Sequence, residues 1–358
     1  MRGSDVEIDH GASVIAPEVN LTTEDFGAHI VGAPANRTGT HACIAGGDGD
    51  ASLMPLGGAG RAGTVSASFG GAVALSVAAD AGAQGFIAGL DDGTLRRIDV
   101  DGATHVLREC AGQWIDNAVA NPLTGLVACS AGRTVYVHDA RGDAVGVFAD
   151  HPSTPSGLCF SPDGRMLAVA RYNGVTVWNL ETGEQGQDLF WRGSHTAVSW
   201  SPDGTYIVTA TQDRDLHCWR VADGRDYRMS GYPSKIRSIS WTDDSEFVCA
   251  SGADTVTAWY CGGEGPAGKP PIELGYVGVV TQVACHPGAA LVAAGYDDGT
   301  VLIGDIGNGE AMIAKPAGGG MTTSLSWTSD GSTLVSGTAE GLVSTMVVTA
   351  PVPAGLAH

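Results

Sequence analysis

The sequence predicts an all-β fold, a propeller of stacked four-stranded blades, from three observations. A phrase of apolar strand, S/T-P-D-G turn, apolar strand, short Gly-containing turn and third strand recurs along nearly the whole chain. Its spacing is close to 40 residues. The composition is rich in Gly, with 53 in 358 residues, poor in aromatic residues, and shows no helical periodicity. Third-strand ends fall at Leu56, Asp99, Asp139, Asn179, Arg220, Tyr260, Asp305 and Met346, in steps of 43, 40, 40, 41, 40, 45 and 41 residues. That is the period of four short antiparallel strands forming one blade.

Eight three-strand units follow in order. The first, 26 to 56, is the least regular, and the blade count turns on whether residues 26 to 71 complete it. The second, 72 to 99, carries the hairpin turn "LDDGT", with Gly where a positive φ is needed; the third is 114 to 139. The fourth and fifth contain "SGLCFSPDGRMLAVARYNGVTVWN" (156 to 179) and "HTAVSWSPDGTYIVTATQDRDLHCWR" (195 to 220), the clearest copies. The sixth is 236 to 260, the seventh, 280 to 305, repeats the hairpin as "YDDGT", and the eighth is 322 to 348. Segments such as "ATHVLREC" (103 to 110), "AVGVFAD" (144 to 150), "PPIELGY" (270 to 276) and "AMIAKP" (311 to 316) lie between units and supply outer strands. The eighth unit has no such segment after it, so "SVIAPEV" (13 to 19) is expected to complete the last blade and close the ring, leaving no long exposed edge. The expectation is eight blades, with seven as the alternative. Residues 1–12 are read as a leader, 13–350 as one domain and 351–358 as a tail.

Carboxylates outnumber Lys and Arg, 39 to 19, for a formal charge of −20. Binding to duplex nucleic acid or to an acidic membrane surface rests on cations, so neither is expected. Excess surface carboxylate also favours a dispersed monomer. The eight cysteines form no C-x-x-C pair and fall mostly within apolar strands such as "GLVACS". They read as core residues in a reducing compartment, and with no secretory pattern at the N-terminus the expected location is cytoplasmic.

The segments "FSPDGRMLAVARYNGVTVWNLETG" and "SWSPDGTYIVTATQDRDLHCWRVADG" resemble the WD-repeat family, and the resemblance extends over about residues 26 to 348. It implies a WD-repeat-like propeller. The signature dipeptide is altered to Trp178-Asn179, Trp219-Arg220 and Trp259-Tyr260, with Asp kept at His138-Asp139 and Gly304-Asp305. The Gly-His before the first strand is absent, so the family's His, Asp, Ser, Trp hydrogen-bond tetrad is not expected and apolar packing takes its place. Segments including "GQWIDNAVANP", "WRGSHTAVSWSPDG" and "GGEGPAGKPPIELG" resemble a group of bacterial, chiefly proteobacterial, WD-repeat proteins of unassigned role. Some of these are encoded beside zinc-handling GTPases, which implies a place in zinc homeostasis.

Candidate site residues belong to the loops that lead into first strands. Aligned on the residue before the S-P-D-G turn, the first strands begin at Ile115, His195, Ile236, Val280 and Thr322, so His195 departs from an apolar rule. Asp116, His195, Lys235 and Arg237 form a polar cluster in this alignment. His195 with Asp116 or Lys235 is the one candidate for acid/base chemistry of a hydrolase or lyase, against a structural His or a ligand contact. Lys235 and Arg237 suit recognition of a carboxylate or other anion. Trp114, Trp191, Tyr232 and Tyr276, with Arg192 beside them, are candidate partner anchors, packing between blades being the other reading. Trp178, Trp219 and Trp259 share one third-strand position and read as blade core. His29, His41 and Cys43 are weak metal candidates without paired spacing, and no cofactor is expected. The leading expectation is a non-enzymatic scaffold for a protein or peptide.

Overall fold

The computed structural model of the chain describes residues 18–57, 62–266, 268–275 and 278–349. Among these, all regular structure is β, in antiparallel ladders. Inner strands of successive sheets, such as Val280–Cys285 and Thr322–Trp327, touch one another, as blades around an axis must. The fold is a β-propeller.

The ladders make seven hydrogen-bonded sheets, six of four strands and one of six, the alternative count rather than the expected eight. The difference has a local cause. The fourth and fifth units share the six-stranded sheet because Gln185–Trp200 runs without a break from the outer strand of one into the inner strand of the next. In the same sheet Met166–Asn179 is one 14-residue element. A straight strand of that length would separate its flanking residues by roughly 50 Å. Yet Leu180 N–H donates to Arg165 O at 2.9 Å. The element therefore folds back on itself at Asn173 and Gly174, whose φ values are +66° and +129°.

The sheet built on Thr322–Trp327, Thr333–Thr338 and Leu342–Thr349 takes its outer strand from Glu18–Asp25, paired antiparallel from Glu18 with Thr349 to Asp25 with Leu342. The expected partner, 13 to 19, lies mostly outside the described residues, as do the leader 1–12 and the tail 351–358. Among the described residues the strand that fills the place is Glu18–Asp25, which shares Glu18 and Val19 with the expected segment and runs six residues past its end.

Apolar clusters fill the space between neighbouring sheets; one joins Leu53 and Phe69 to Phe86, Leu90 and Ile98. Each such side chain contributes roughly 1.5–3 kcal/mol by leaving water. First-strand starts are core positions: Ile30, Ile115, His195, Ile236, Val280 and Thr322 are all 0–3% exposed. Facing them, the second strand of the preceding unit often carries Gly. A Cβ at Gly89 would fall 2.3 Å from Ile115 O, and one at Gly337 would fall 2.5 Å from Ile30 Cγ2. Close approach of successive blades thus demands Gly there.

On one face, called lower here, the S/T-x-D-G turns repeat one hydrogen-bond pattern. The first hydroxyl donates to the Asp carboxylate at 2.6 Å in Ser161–Asp163, Ser201–Asp203, Thr242–Asp244 and Thr328–Asp330. The same hydroxyl accepts the backbone N–H five residues on, at 2.9–3.0 Å. Left-handed residues close the turns at Gly164, Gly204, Ser245 and Gly331. These bonds satisfy the turn polar groups and fix strand register.

Candidate functional site

The upper face carries the outer-to-inner connections and the second-to-third-strand turns. Backbone bonds tie the two together: Asp91 N to Val73 O, Gln212 N to Ser194 O, Gly252 N to Val280 O and Asp297 N to Val279 O, all within 2.9–3.0 Å. The loops that display side chains on this face are held, not free.

His195 lies here in sequence but not at the surface. It is 0% exposed, with Nε2 at 2.9 Å from Trp191 O and Nδ1 at 2.8 Å from Thr209 Oγ1. A carbonyl only accepts, so Nε2 carries the proton and the neutral ring accepts the Thr209 hydroxyl proton at Nδ1. Burial lowers its pKa in agreement, with Arg171 adding to the effect. Both nitrogens are spent and no solvent reaches them. Asp116 belongs to a different sheet and is exposed, where its carboxylate accepts from Asn117 Nδ2 at 3.0 Å. The acid/base pair expected from sequence is therefore not assembled. His195 is instead part of a polar network inside a blade, its ring 5.8 Å from that of Trp219. Polar bonds thus add to the apolar packing on which the blades are expected mainly to rest.

The candidate anchors separate by burial. Trp114 is 68% exposed. Trp191 is half-buried, stacked on His217 with ring centroids 4.0 Å apart. Tyr232 is buried, and its hydroxyl accepts from Trp259 Nε1 at 2.8 Å, so it is core and not an anchor. Tyr276 lies outside the described residues. Arg192, Lys235 and Arg237 are exposed. Trp219 is buried; Trp178 and Trp259 are partly buried against the core, as expected for that third-strand position.

Lys235 and Arg237, with Thr196, Thr211, Gln212 and Ile236, line a cavity of about 290 Å³. Their loop is pinned. Ser234 donates through both N–H and hydroxyl to Gly252 O, and Arg237 N–H donates to Ser251 Oγ at 3.0 Å.

The metal candidates do not converge. His29 O accepts from Gly47 N–H at the upper end of strand His41–Gly46, whereas His41 starts that strand at its lower end. Six residues of strand separate them, roughly 15–20 Å. Cys43 is buried and its thiol is pushed up to about 12 by that burial. Among the described residues no group of three His, Cys, Asp or Glu side chains is placed to hold a metal ion.

Sequence reasoning missed several residues. Tyr172, at the reversal of Met166–Asn179, is 57% exposed on the upper face. Its backbone N–H donates to Ser153 Oγ at 2.9 Å. The signal was present: "RYNG" puts an aromatic in a turn where sister units have Asp. Arg171 is buried beside it, bonded to Thr176 Oγ1 at 2.8 Å, to Tyr172 O at 3.0 Å and to the Asp188 carboxylate. Lys315 is buried too, its Nζ donating to Gly299 O, Gly318 O and Pro316 O at 2.7, 3.0 and 3.2 Å. It braces a glycine-rich connection, a role that a lone Lys in an outer strand does not announce.

With this geometry the fold can be set beside known proteins. Residues 142–179, 192–220 and 269–305 match the family described as WD domain, G-beta repeat. The chain is similar to meiotic recombination protein rec14 of Schizosaccharomyces pombe, 28% identical over 141 residues, which is 38% of this chain and 47% of that protein. It is similar to WD repeat-containing protein 90 of Homo sapiens, 28% identical over 250 residues, 64% of this chain and 14% of that one. It is also similar to serine-threonine kinase receptor-associated protein of Mus musculus, 24% identical over 135 residues, 37% of this chain and 39% of that protein. The matches thus span less than half of each relative. Among solved structures, a computationally designed protein superposes with a TM-score of 0.74 at 19% identity, over 90% of this chain and 98% of that one, a likeness of fold alone. The protein is a β-propeller, three segments of which match the WD-domain family. These relatives are eukaryotic and give no support to the bacterial grouping that the loop segments suggested.

Proposed function

We propose that this protein is a non-enzymatic scaffold that holds a protein or peptide on the upper face of the propeller. The observation that carries the reading is the exposure of Trp114 and Tyr172, 68% and 57%, on loops of that face. Large rigid aromatics left in water on pinned loops are the residues that anchor interfaces. Asn117 links their surroundings, donating to Asp116 Oδ1 and to Pro155 O in the connection that also holds Ser153, the acceptor of Tyr172 N–H. The segments that match the WD-domain family and the likeness to a WD repeat-containing protein favour the same class of function. The burial of His195 weighs against a channel-mouth enzyme.

In this reading the six-stranded sheet counts as two blades, making eight, and Glu18–Asp25 closes the ring. Support comes from the Leu180–Arg165 bond inside Met166–Asn179 and from the pairing of Glu18–Asp25 with Leu342–Thr349.

The test is affinity capture with mass spectrometry, wild type against Trp114→Ala with Tyr172→Ala. The double variant is expected to lose the captured partner and to keep its melting temperature, because both side chains are mainly solvated. Retained capture would overturn the choice of face.

A further inference from the structure

Among the described residues, most Lys and Arg side chains are committed. Arg96, Arg97, Arg165, Arg171, Arg220, Arg225 and Arg228 pair with carboxylates. Arg37, Arg133, Arg214 and Lys315 donate to backbone carbonyls, and Arg108 and Lys269 lie over tyrosine rings. Four remain without a hydrogen bond or ion pair to a protein group: Arg141, Arg192, Lys235 and Arg237. Three of these belong to the upper-face connections into the fifth and sixth units. Two line one cavity.

That cavity has no acidic lining residue, in a chain where carboxylates outnumber cations 39 to 19. With so many carboxylates available, two neighbouring cations left unpaired and carboxylate-free are kept open for an anion from elsewhere. Gln212 adds a carboxamide donor with no protein partner of its own. The loop that carries the cations is fixed by Ser234, Gly252 and Ser251, so little ordering is needed on binding. A volume of about 290 Å³ lies at the bottom of the range for small-molecule pockets and suits one acidic side chain rather than a whole cofactor. Long-range attraction of polyanions is opposed by the net charge of −20. We infer that the cavity bounded by Lys235, Arg237 and Gln212 is a carboxylate-recognition site that docks an acidic side chain of an extended partner peptide. The inference rests on the upper face being the binding face.

The experiment is isothermal titration of the full chain with a hexaglutamate peptide, a hexalysine peptide and succinate, each at low and at moderate salt. Hexalysine, drawn nonspecifically by the net charge of −20, is expected to bind wild type and cavity variants alike, while hexaglutamate is expected to bind at moderate salt, where the repulsion by that charge is screened. Lys235→Ala and Arg237→Ala should each weaken it about tenfold, the scale of losing one charge-assisted hydrogen bond. Their melting temperatures should not move, since neither side chain holds a protein group. Failure of hexaglutamate to bind, or equal binding by both variants, overturns the inference. Succinate binding as tightly as the peptide also overturns it, because the site would then serve a free small anion. If these fail while capture is still lost on replacing Trp114 and Tyr172, the scaffold reading stands without acidic specificity. If that capture also persists, both readings fall.

Discussion

Replacing His195 by Ala decides between a structural and a functional histidine. The ring fills a site with no solvent exposure and bonds to the Trp191 carbonyl and the Thr209 hydroxyl. Each bond contributes about 0.5–1.5 kcal/mol net, and more is lost when its partner stays buried without a replacement. Removing the ring also leaves a cavity beside Trp219, which adds to the cost. The sum is about 2–4 kcal/mol, a large part of the roughly 5–15 kcal/mol that holds a typical protein folded. Urea unfolding followed by circular dichroism should show the midpoint displaced to lower denaturant with the slope unchanged. His195→Gln, which can keep one of the two bonds, should recover part of the loss. Partner capture by folded protein should persist in both variants. An unchanged midpoint would refute the structural assignment, and lost capture at an unchanged midpoint would restore His195 as a ligand contact.

Acid should destabilise the fold between pH 6.5 and 4. His151 is pushed down to about 4 by burial, then by Arg171 and Arg133; His217 also falls to about 4 by burial, although the Asp226 carboxylate 3.0 Å away opposes this. Below 6.5 the unfolded chain takes up protons that these folded-state rings refuse, so stability falls by about 1.4 kcal/mol per pH unit for each. Denaturant titrations at pH 7, 6 and 5 should show this decline; stability that is flat or rises on acidification would contradict it. The turn carboxylates Asp163 and Asp330, held below the usual range first by the Ser161 and Thr328 hydroxyls, should add their loss only at lower pH. Gly89→Ala should cost about 1–3 kcal/mol, because its Cβ meets the Ile115 carbonyl rather than a movable side chain. Its thermal melt should drop by several degrees, and an unchanged melt would show that the two sheets can separate at no cost.

The repeat made the fold legible because four of the units write the same local chemistry: a hydroxyl and a carboxylate two residues apart, then a left-handed residue, then an apolar strand. Ser201, Asp203 and Gly204 read the same in one dimension as in three. The number of separate sheets was less legible. It depends on whether Gln185–Trp200 breaks between units, and backbone continuity leaves no mark in residue type. The reach of the outer strand was also misjudged: Glu18–Asp25 continues past residue 19, where the expected segment ends. Its residues are mostly exposed, so apolar patterning points to the preceding stretch instead.

The site was legible in location but not in role. Loop aromatics and cations do gather on the upper face, yet residue type alone cannot separate a side chain that meets a partner from one that supports the loop. Trp191 stacks on His217 directly before the exposed Arg192. Tyr232 accepts from Trp259 three residues before Lys235. In both connections a packed aromatic, half-buried in Trp191 and buried in Tyr232, fixes the backbone that displays a cation, so much of the aromatic area is spent on stiffness. Trp114 and Tyr172 differ because their rings face water, while the backbone around them is held by the Leu90 carbonyl and the Ser153 hydroxyl. His195 belongs with the supports: by bonding to the Trp191 carbonyl it ties the connection carrying Arg192 to the blade core. Its departure from an apolar rule, which in sequence reads as chemistry, is the means by which one loop of the upper face is made rigid.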